Sequence, residues 1–324
     1  MAIDVLASAP HYADHLAAVF GALPERERGS FVTASASTAA RVRELGYEPS
    51  MTGTPSNPTL VASFGNLVRA SRNGRARLAI MEHGAGQSYG GRRRSDTYGS
   101  YAGGRGRELA SLFLHPGTHP ASRDRAAYPA ARVEIVGSPF LDALPARVGA
   151  PGRVVAFSFH FNGAVAPETK NAYPWIWPAL ERVAERFEVL GHAHPRLYNS
   201  LRRRYHKAGI EPVADFGDVC RRADVYVCDN SSTLFAFAAT GRPVVVLNPP
   251  WYDPKVNHGL RFWEAADVGI QCNDPADLAD CIDEALRDTP AQRKRREAAL
   301  DLVYAYRTGA GKRAADVLME WAHG

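Results

Sequence analysis

Residues 223–235 read ADVYVCDNSSTLF, and the run GRPVVVL follows at residues 241–247. Residues 225–228 form a short apolar run, as a parallel strand covered on both faces requires. The polar residues after it, 229–232, are of types that cap the free N–H groups at the start of a helix. The stretch therefore predicts a buried strand, a polar turn, a short helix and a second buried strand.

This polar turn is suited to an anion. Hydroxyl and N–H groups at a helix start lie where the helix dipole favours negative charge, at the carboxyl edge of an open α/β sheet. Asp229 would repel a phosphate, so we expect it to cap the helix or to orient a side chain. An ordinary capped helix is the alternative. The predicted phosphate-binding corner comprises Asp229, Asn230, Ser231, Ser232 and Thr233, with direct contacts from the last three.

Length and composition indicate a soluble protein of two domains. The chain has 324 residues and 45% hydrophobic residues, which exceeds one typical domain and is an ordinary apolar content. No segment approaches the ~20 apolar residues that span a bilayer. The first eight residues lack a basic region and include Asp4, so we expect no secretory signal and a cytoplasmic location. The four cysteines show no C-x-x-C spacing, which favours reduced, buried thiols.

The charge balance indicates an anionic partner. The formal net charge is +5 and the sequence pI is about 9.1. A nucleotide, a nucleic acid, an acidic polymer or a membrane surface would suit this charge.

Strand and helix patterns alternate along the chain, which predicts α/β architecture with parallel sheets. A segment of linker composition, residues 144–152, separates two halves. Strands are predicted at residues 3–7, 30–34, 60–63, 78–81, 112–114, 133–136, 154–159, 188–190, 212–214, 225–228, 244–247 and 268–272. Helices are predicted at residues 12–23, 38–45, 122–128, 175–187, 196–208, 275–286, 291–306 and 311–322.

Residues 84–106 form a long loop rich in Gly, Arg, Ser and Tyr. A connection of this length is typical of a binding lid or an acceptor loop, with disorder as the alternative. Arginines pair with phosphates and tyrosines stack on extruded bases, so the loop would suit DNA. The acceptor contacts predicted here are Arg92, Arg93, Arg94 and Tyr98.

Two successive Rossmann-like halves indicate a GT-B-like fold, in which two Rossmann-like domains face each other across a cleft. We predict an acceptor domain at residues 1–145 and a nucleotide-donor domain at residues 153–305. A terminal helix at residues 306–324 is expected to pack back on the first domain.

Five separated motifs carry a family resemblance over residues 78–250. They are EHG at 82–84, GSPFLD at 137–142, HP at 194–195, DNSSTLF at 229–235 and GRP at 241–243. In this order they resemble the CDP-glycerol glycerophosphotransferase family and its GT-B glycosyltransferase relatives. Two positions depart from that pattern: residues 158–162 lack the family's basic residue, and Asn230 replaces a tyrosine.

The resemblance implies roles for several histidines. His83 is the candidate general base, since it follows a strand and titrates near neutral pH. His11, in the first strand-to-helix loop, is the rival base. His194 would contact donor phosphates, or else serve as a hydrogen-bonded loop histidine, and His160 is a candidate replacement for the missing basic residue.

We predict an inverting GT-B glycosyltransferase whose donor is a nucleotide-diphosphate sugar, for example a UDP sugar. Its acceptor hydroxyl could belong to a hydroxymethylated DNA base. One alternative is a glycerol- or ribitol-phosphate transferase acting on a cell-envelope polymer. The other is a non-enzymatic nucleotide- or polyanion-binding protein. Because no D-x-D motif is flanked by strands, no metal site and no obligatory cofactor are predicted.

Overall fold

The computed structural model describes residues 1–51, 54–72, 76–85, 105–162, 170–229, 231–252, 255–256, 259–260 and 267–324. The chain divides into two compact units. The first unit comprises Met1–Ala143 together with Leu302–Gly324, and the second comprises Leu144–Asp301. None of the described helices is both long enough and apolar enough to cross a bilayer.

The strands of the described residues follow in chain order. They are β1 Ile3–Ala7, β2 Arg28–Thr33, β3 Pro49–Ser50, β4 Thr59–Val61, β5 Leu78–Met81, β6 Leu112–His115, β7 Arg132–Ile135, β8 Val154–Ser158, β9 Glu188–Gly191, β10 Glu211–Pro212, β11 Val225–Cys228, β12 Val244–Leu247, β13 Lys255–Val256, β14 Gly259–Leu260 and β15 Ile270–Cys272.

The helices alternate with these strands. They are α1 Pro10–Ala22, α2 Ala36–Glu44, α3 Phe64–Ser71, α4 Thr118–Ala127, α5 Pro139–Asp142, α6 Tyr173–Ala184, α7 Pro195–Lys207, α8 Phe216–Arg222, α9 Thr233–Ala238, α10 Leu278–Arg287, α11 Pro290–Val303 and α12 Ala310–His323.

Each unit is built on a parallel sheet. The first sheet has the order β3-β2-β1-β4-β5-β6-β7, and the second has the order β10-β9-β8-β11-β12-β15. The order reverses direction at the β1/β4 pair in one unit and at the β8/β11 pair in the other, which is where ligands bind in open α/β sheets. The predicted α/β class with two parallel sheets is confirmed.

Apolar side chains fill both faces of each sheet. In the first unit, Leu16 of α1 and Leu318 of α12 belong to the cluster on one face, while Leu67 of α3 belongs to the cluster on the other. In the second unit, Ile176 of α6 and Ile282 of α10 pack on the central strands. The central strands are buried and largely apolar because helices exclude water from both faces.

The segment 137–142 fixes the start of the last helix. Gly137 has φ +87°, and a Cβ at this position would lie 2.7 Å from the Tyr306 carbonyl oxygen, so the close approach requires glycine. The Asp142 carboxylate accepts hydrogen bonds from the N–H groups of Gly309 and Gly311, both at 2.7 Å. This glycine and aspartate therefore have a structural function, which is to hold α12 within the first unit.

Three helices, α3, α5 and α8, were not predicted from the sequence, although two of them carry ordinary caps. The Ser63 hydroxyl accepts from the N–H of Asn66 at 3.3 Å, and the Asp215 carboxylate accepts from the N–H of Asp218 at 2.9 Å. The helices have eight residues or fewer, so hydrophobic periodicity cannot reveal them. The cap residues alone could have done so.

Candidate functional site

In the second unit, polar side chains collect at the carboxyl ends of three adjacent strands. His160 follows β8, His192 and His194 follow β9, and Asp229 follows β11. These positions surround the point where the strand order reverses, which is where ligands bind in open α/β sheets.

Asp229 organises this edge of the sheet. Its buried carboxylate accepts one hydrogen bond from the N–H of His160 at 2.9 Å and another from the N–H of Ala172 at 3.0 Å. It thereby ties the loop after β8 and the start of α6 to the end of β11. Ser232 is the N-cap residue of α9, but it lies in the αR region and makes no side-chain cap bond.

His160 and His194 lie together with an aromatic ring and a cation. Their ring centroids are 5.3 Å apart. The Phe161 ring stacks on His160 at 4.4 Å and is 4.5 Å from His194. The guanidinium of Arg196 lies 4.8 Å above the centroid of Phe161. Arg196 thus places a permanent positive charge beside residues 158–162, where the family's basic residue is missing, and sequence reasoning overlooked it.

Hydrogen bonds distinguish these two histidines. The His160 Nδ1 lies 2.8 Å from the carbonyl oxygen of Phe161, which can only accept, so Nδ1 carries a hydrogen. In contrast, His194 caps α7, and its Nδ1 accepts from the N–H of Arg196 at 3.2 Å. A neutral His194 therefore holds its hydrogen on Nε2 and can donate it to a phosphate oxygen. A neutral His160 presents an acceptor at Nε2 and becomes a donor there only when protonated.

Two hydroxyls of the predicted phosphate-binding corner, those of Ser231 and Thr233, form hydrogen bonds within the protein. The Thr233 Oγ1 lies 2.9 Å from the Ser231 Oγ and 2.8 Å from the Tyr226 hydroxyl. Ser231 itself is buried. Nearby, the Ser158 Oγ lies 2.8 Å from the Nδ1 of His192. The hydroxyls of Ser231 and Thr233 therefore already have partners within the protein.

His192 is an interior group and differs from His194, two residues later. Burial lowers the pKa of His192 to about 4, and the opposing charge of Asp215 only partly offsets it. The ring is therefore neutral at physiological pH, when its Nδ1 and the Ser158 hydroxyl share a hydrogen bond. A neutral, buried imidazole is suited to support the strand end rather than to bind an anion.

In the first unit, the two candidate bases lie in one aromatic cluster. The His83 ring centroid is 6.4 Å from that of His11 and 6.0 Å from that of His15. The Tyr12 ring meets His83 edge-on at 5.0 Å, and Phe140 stacks on His15 at 4.3 Å. Sequence reasoning missed His15, although it lies four residues after His11 and hence on the same face of α1.

His15 supplies an imidazole that stays neutral. Burial lowers its pKa well below the usual value, and the neighbouring His83 and His11 lower it further. The cluster therefore places a neutral ring beside His83.

A second group of charged side chains includes Glu82, the residue before His83. The buried His115 ring, at the end of β6, has its Nδ1 3.5 Å from the Glu82 Oε1 and its Nε2 3.0 Å from the Asp124 Oδ2. The Asp124 contact is within ion-pair distance but is not aligned as a regular hydrogen bond. Burial by itself lowers the pKa of His115, but its contacts with Asp124 and Glu82 outweigh burial and raise it to about 9. His115 is therefore an imidazolium at neutral pH.

Five predicted contacts, namely Asn230, Arg92, Arg93, Arg94 and Tyr98, lie outside the described residues. Among the residues that the structure describes, no group of three or more His, Cys, Asp or Glu side chains could hold a metal ion.

Part of the chain matches a known protein family. The model of the family described as CDP-Glycerol:Poly(glycerophosphate) glycerophosphotransferase matches residues 179–319. No curated protein matches the chain. The family resemblance predicted from the motifs is thus confirmed, although the matched segment extends beyond residue 250 and does not include His83.

Solved structures match nearly the whole chain. The wall teichoic acid polymerase TagF superposes with a TM-score of 0.64 at 13% identity, covering 99% of this chain and 89% of that one. A UDP co-structure of S. aureus MnaA gives 0.62 at 14% identity and covers 99% and 96%. A putative UDP-N-acetylglucosamine 2-epimerase from Listeria monocytogenes gives 0.61 at 14% identity and covers 98% and 94%.

The fold is GT-B-like. At these identities the superpositions establish the architecture and nothing more specific. The family match supports a transferase that uses a nucleotide-linked donor.

Proposed function

We propose that this protein transfers a glycerol-phosphate-type group from a cytidine-diphosphate-linked donor to a hydroxyl of an anionic cell-envelope polymer. The family match over residues 179–319 supports this reaction. It favours the alternative of a glycerol- or ribitol-phosphate transferase over sugar transfer to a DNA base, for which the comparisons give no support. The single observation that carries the proposal is the arrangement of His160, His194 and Arg196 at the carboxyl ends of β8 and β9.

We assign the donor diphosphate to this arrangement. Arg196 is positively charged at every working pH, and His194 can donate its Nε2 hydrogen while neutral. Such groups, fixed before the reaction, stabilise the negative charge that develops on a departing phosphate. The N–H groups and hydroxyl around Ser232 are assigned to the same phosphates, because Ser231 and Thr233 already bond within the chain.

We assign proton removal to His83, with His11 as the rival base. The acceptor oxygen attacks the phosphorus on the glycerol side of the diphosphate and forms a new P–O bond. The bond to the bridging oxygen breaks, and CMP leaves with its electron pair. The proton of the acceptor hydroxyl passes to the base as the new bond forms. His15, which stays neutral, adds no positive charge that would lower the basicity of His83.

Transfer of a sugar from a UDP-linked donor is the second candidate. The UDP co-structure of MnaA, a protein of the same fold, favours it. In that reaction the acceptor attacks a sugar carbon and a whole nucleoside diphosphate leaves, so the same phosphate contacts would serve. The identity of the nucleotide product separates the two reactions.

The test is incubation of the protein with CDP-glycerol or with UDP-N-acetylglucosamine and a polyglycerophosphate acceptor. Glycerophosphate transfer releases CMP, whereas sugar transfer releases UDP, and mass spectrometry distinguishes them. Ligand binding at a hundredfold excess over Kd stabilises the native state by about 2.7 kcal/mol, which a thermal-shift assay resolves. Stabilisation by UDP compounds alone, with no CMP released, would refute the proposal in favour of sugar transfer.

A matched pair of variants tests the donor contact. In His194→Asn the amide oxygen stands near the Nδ1 position and keeps the cap on α7, but the distal donor is lost. In His194→Gln the amide nitrogen stands near the Nε2 position, but the cap is lost. We expect donor affinity to fall about tenfold in His194→Asn and to be largely retained in His194→Gln, since a hydrogen bond to a charged group contributes about 1.5–3 kcal/mol. The opposite order would show that His194 acts only as a helix cap.

A further inference from the structure

The end of β5 is held by buried charges on two other elements. Glu82, the residue before His83, faces His115 at the end of β6, and His115 in turn faces Asp124 on α4. The three side chains are 5%, 2% and 0% exposed, respectively. Burying three ionisable groups is unfavourable unless they pair. The three side chains must therefore stabilise one another through their charges.

The triad formed by Glu82, His115 and Asp124 requires a proton on His115. With the ring protonated, the buried group has a net charge of −1. With the ring neutral, the two buried carboxylates would lose the positive charge that lies between them, which is strongly destabilising. Contacts with both carboxylates hold the pKa of His115 at about 9.

Other charged groups on the neighbouring elements either interact with Asp124 or pair with each other. Arg123 precedes Asp124 on α4 and interacts electrostatically with it. On β7, which pairs with β6, Glu134 is held by Arg132 at 2.8 Å. The proton of the triad is therefore governed mainly by Glu82 and Asp124.

The backbone transmits this arrangement to His83. The N–H of Glu82 bonds to the carbonyl oxygen of Leu114 at 3.3 Å, so Glu82 is anchored to β6 through its main chain and through its side chain. His83 is the next residue, and its ring packs against Tyr12 and His15. A shift of Glu82 would therefore move His83 relative to that cluster.

We propose that His115 is a positioning residue: its imidazolium, held between Glu82 and Asp124, fixes the end of β5 and thereby sets the position of the His83 ring. Its effect on turnover rests on the proposed function, in which His83 is the base. Its effect on the geometry of His83 does not.

The first test uses the wild-type chain and needs no activity. Histidine side-chain NMR signals are followed from about pH 6 to pH 10, with His83 assigned by comparison with His83→Asn. We expect the His83 signals to show a second inflection that coincides with deprotonation of His115, near pH 9. If the His83 signals stay unchanged while His115 titrates, the proposal is overturned.

The second test compares His115→Gln with His119→Gln, an exposed position on the same helix as Asp124. We expect kcat to fall about 10- to 100-fold in His115→Gln, because small misplacement of a reacting group has effects of that order. KM for the donor should stay unchanged, because the donor is assigned to the second unit. His119→Gln should behave as wild type in both constants.

Circular dichroism and the His83 signals of His115→Gln establish whether the variant is folded. A folded variant with wild-type kcat overturns the proposal. If His115→Gln does not fold, the wild-type titration decides the question alone. Absence of transferase activity in wild type with either donor would refute the proposed function, while the His83 titration would still decide the role of His115.

Discussion

We predict that replacing His192 by Asn removes the part of the acid sensitivity of the second unit that this buried imidazole causes. The imidazole is buried and neutral, with a native-state pKa of about 4, against about 6.5 in an unfolded chain. Between these two pH values, the unfolded chain binds a proton at this histidine and the native state does not. A group whose pKa is lowered by folding contributes stability above its unfolded pKa, and this stability is lost as the pH falls toward the folded value.

The magnitude follows from the two pKa values. Between about pH 7 and about pH 5, this one histidine should lower the free energy of unfolding by about 2 kcal/mol. The amide of the His192→Asn variant does not titrate, so the variant should lack this loss. We expect it to be less stable than wild type at pH 7 by about 1–3 kcal/mol, because the Ser158 hydroxyl loses its partner, but that difference does not itself depend on a titrating group.

The assay is urea unfolding at both pH values, followed by tryptophan fluorescence. Trp175 and Trp177 lie on α6 in the same unit as His192 and report its unfolding. His206→Asn, at an exposed position on α7, is the matched control and should keep the wild-type pH dependence. If the His192 variant loses as much stability as wild type between the two pH values, the buried-neutral assignment is wrong.

Three more outcomes are expected. Turnover should survive EDTA, since the sequence offers no D-x-D site; loss of activity that Mg²⁺ restores would contradict this. Replacing Ser231 and Ser232 together by Ala should weaken donor binding several-fold in calorimetry, and the single Ser232→Ala variant should account for most of the effect because the Ser231 hydroxyl bonds to Thr233; unchanged affinity in the double variant would exclude this corner. Replacing Asp142 by Ala should lower the stability of the first unit by about 1 kcal/mol, because the N–H groups at the start of α12 lose their acceptor; an unchanged urea midpoint would show that the cap contributes nothing.

The apolar runs of the sequence determined most of the strands. The predicted strands at 78–81 and 225–228 are confirmed to the residue as β5 and β11. A strand buried on both faces must be apolar along its whole length, and this is a local property that a single segment reveals. The short helices α3 and α8 escaped prediction because seven or eight residues give too few turns for a periodic pattern.

The individual candidates in the site were also visible in the sequence. His11, His83, His160 and His194 all follow predicted strands, and parallel strands present such residues at one edge of a sheet. What each histidine does was not visible. The Nδ1 of His194 accepts from a backbone N–H, whereas that of His160 faces a carbonyl, and only these contacts decide which ring nitrogen carries the hydrogen.

Only the tertiary structure brought together Glu82, His115 and Asp124. Glu82 and His115 lie more than thirty positions apart along the chain, and His115 and Asp124 lie nine apart. No local pattern marks them as partners. Their contact depends on β5 pairing with β6 and on α4 packing against the same edge. The sequence by itself determined where strands end and which polar residues follow them. Strand order decided which of those residues meet, because charge pairing acts over a few ångströms of space and is independent of distance along the chain.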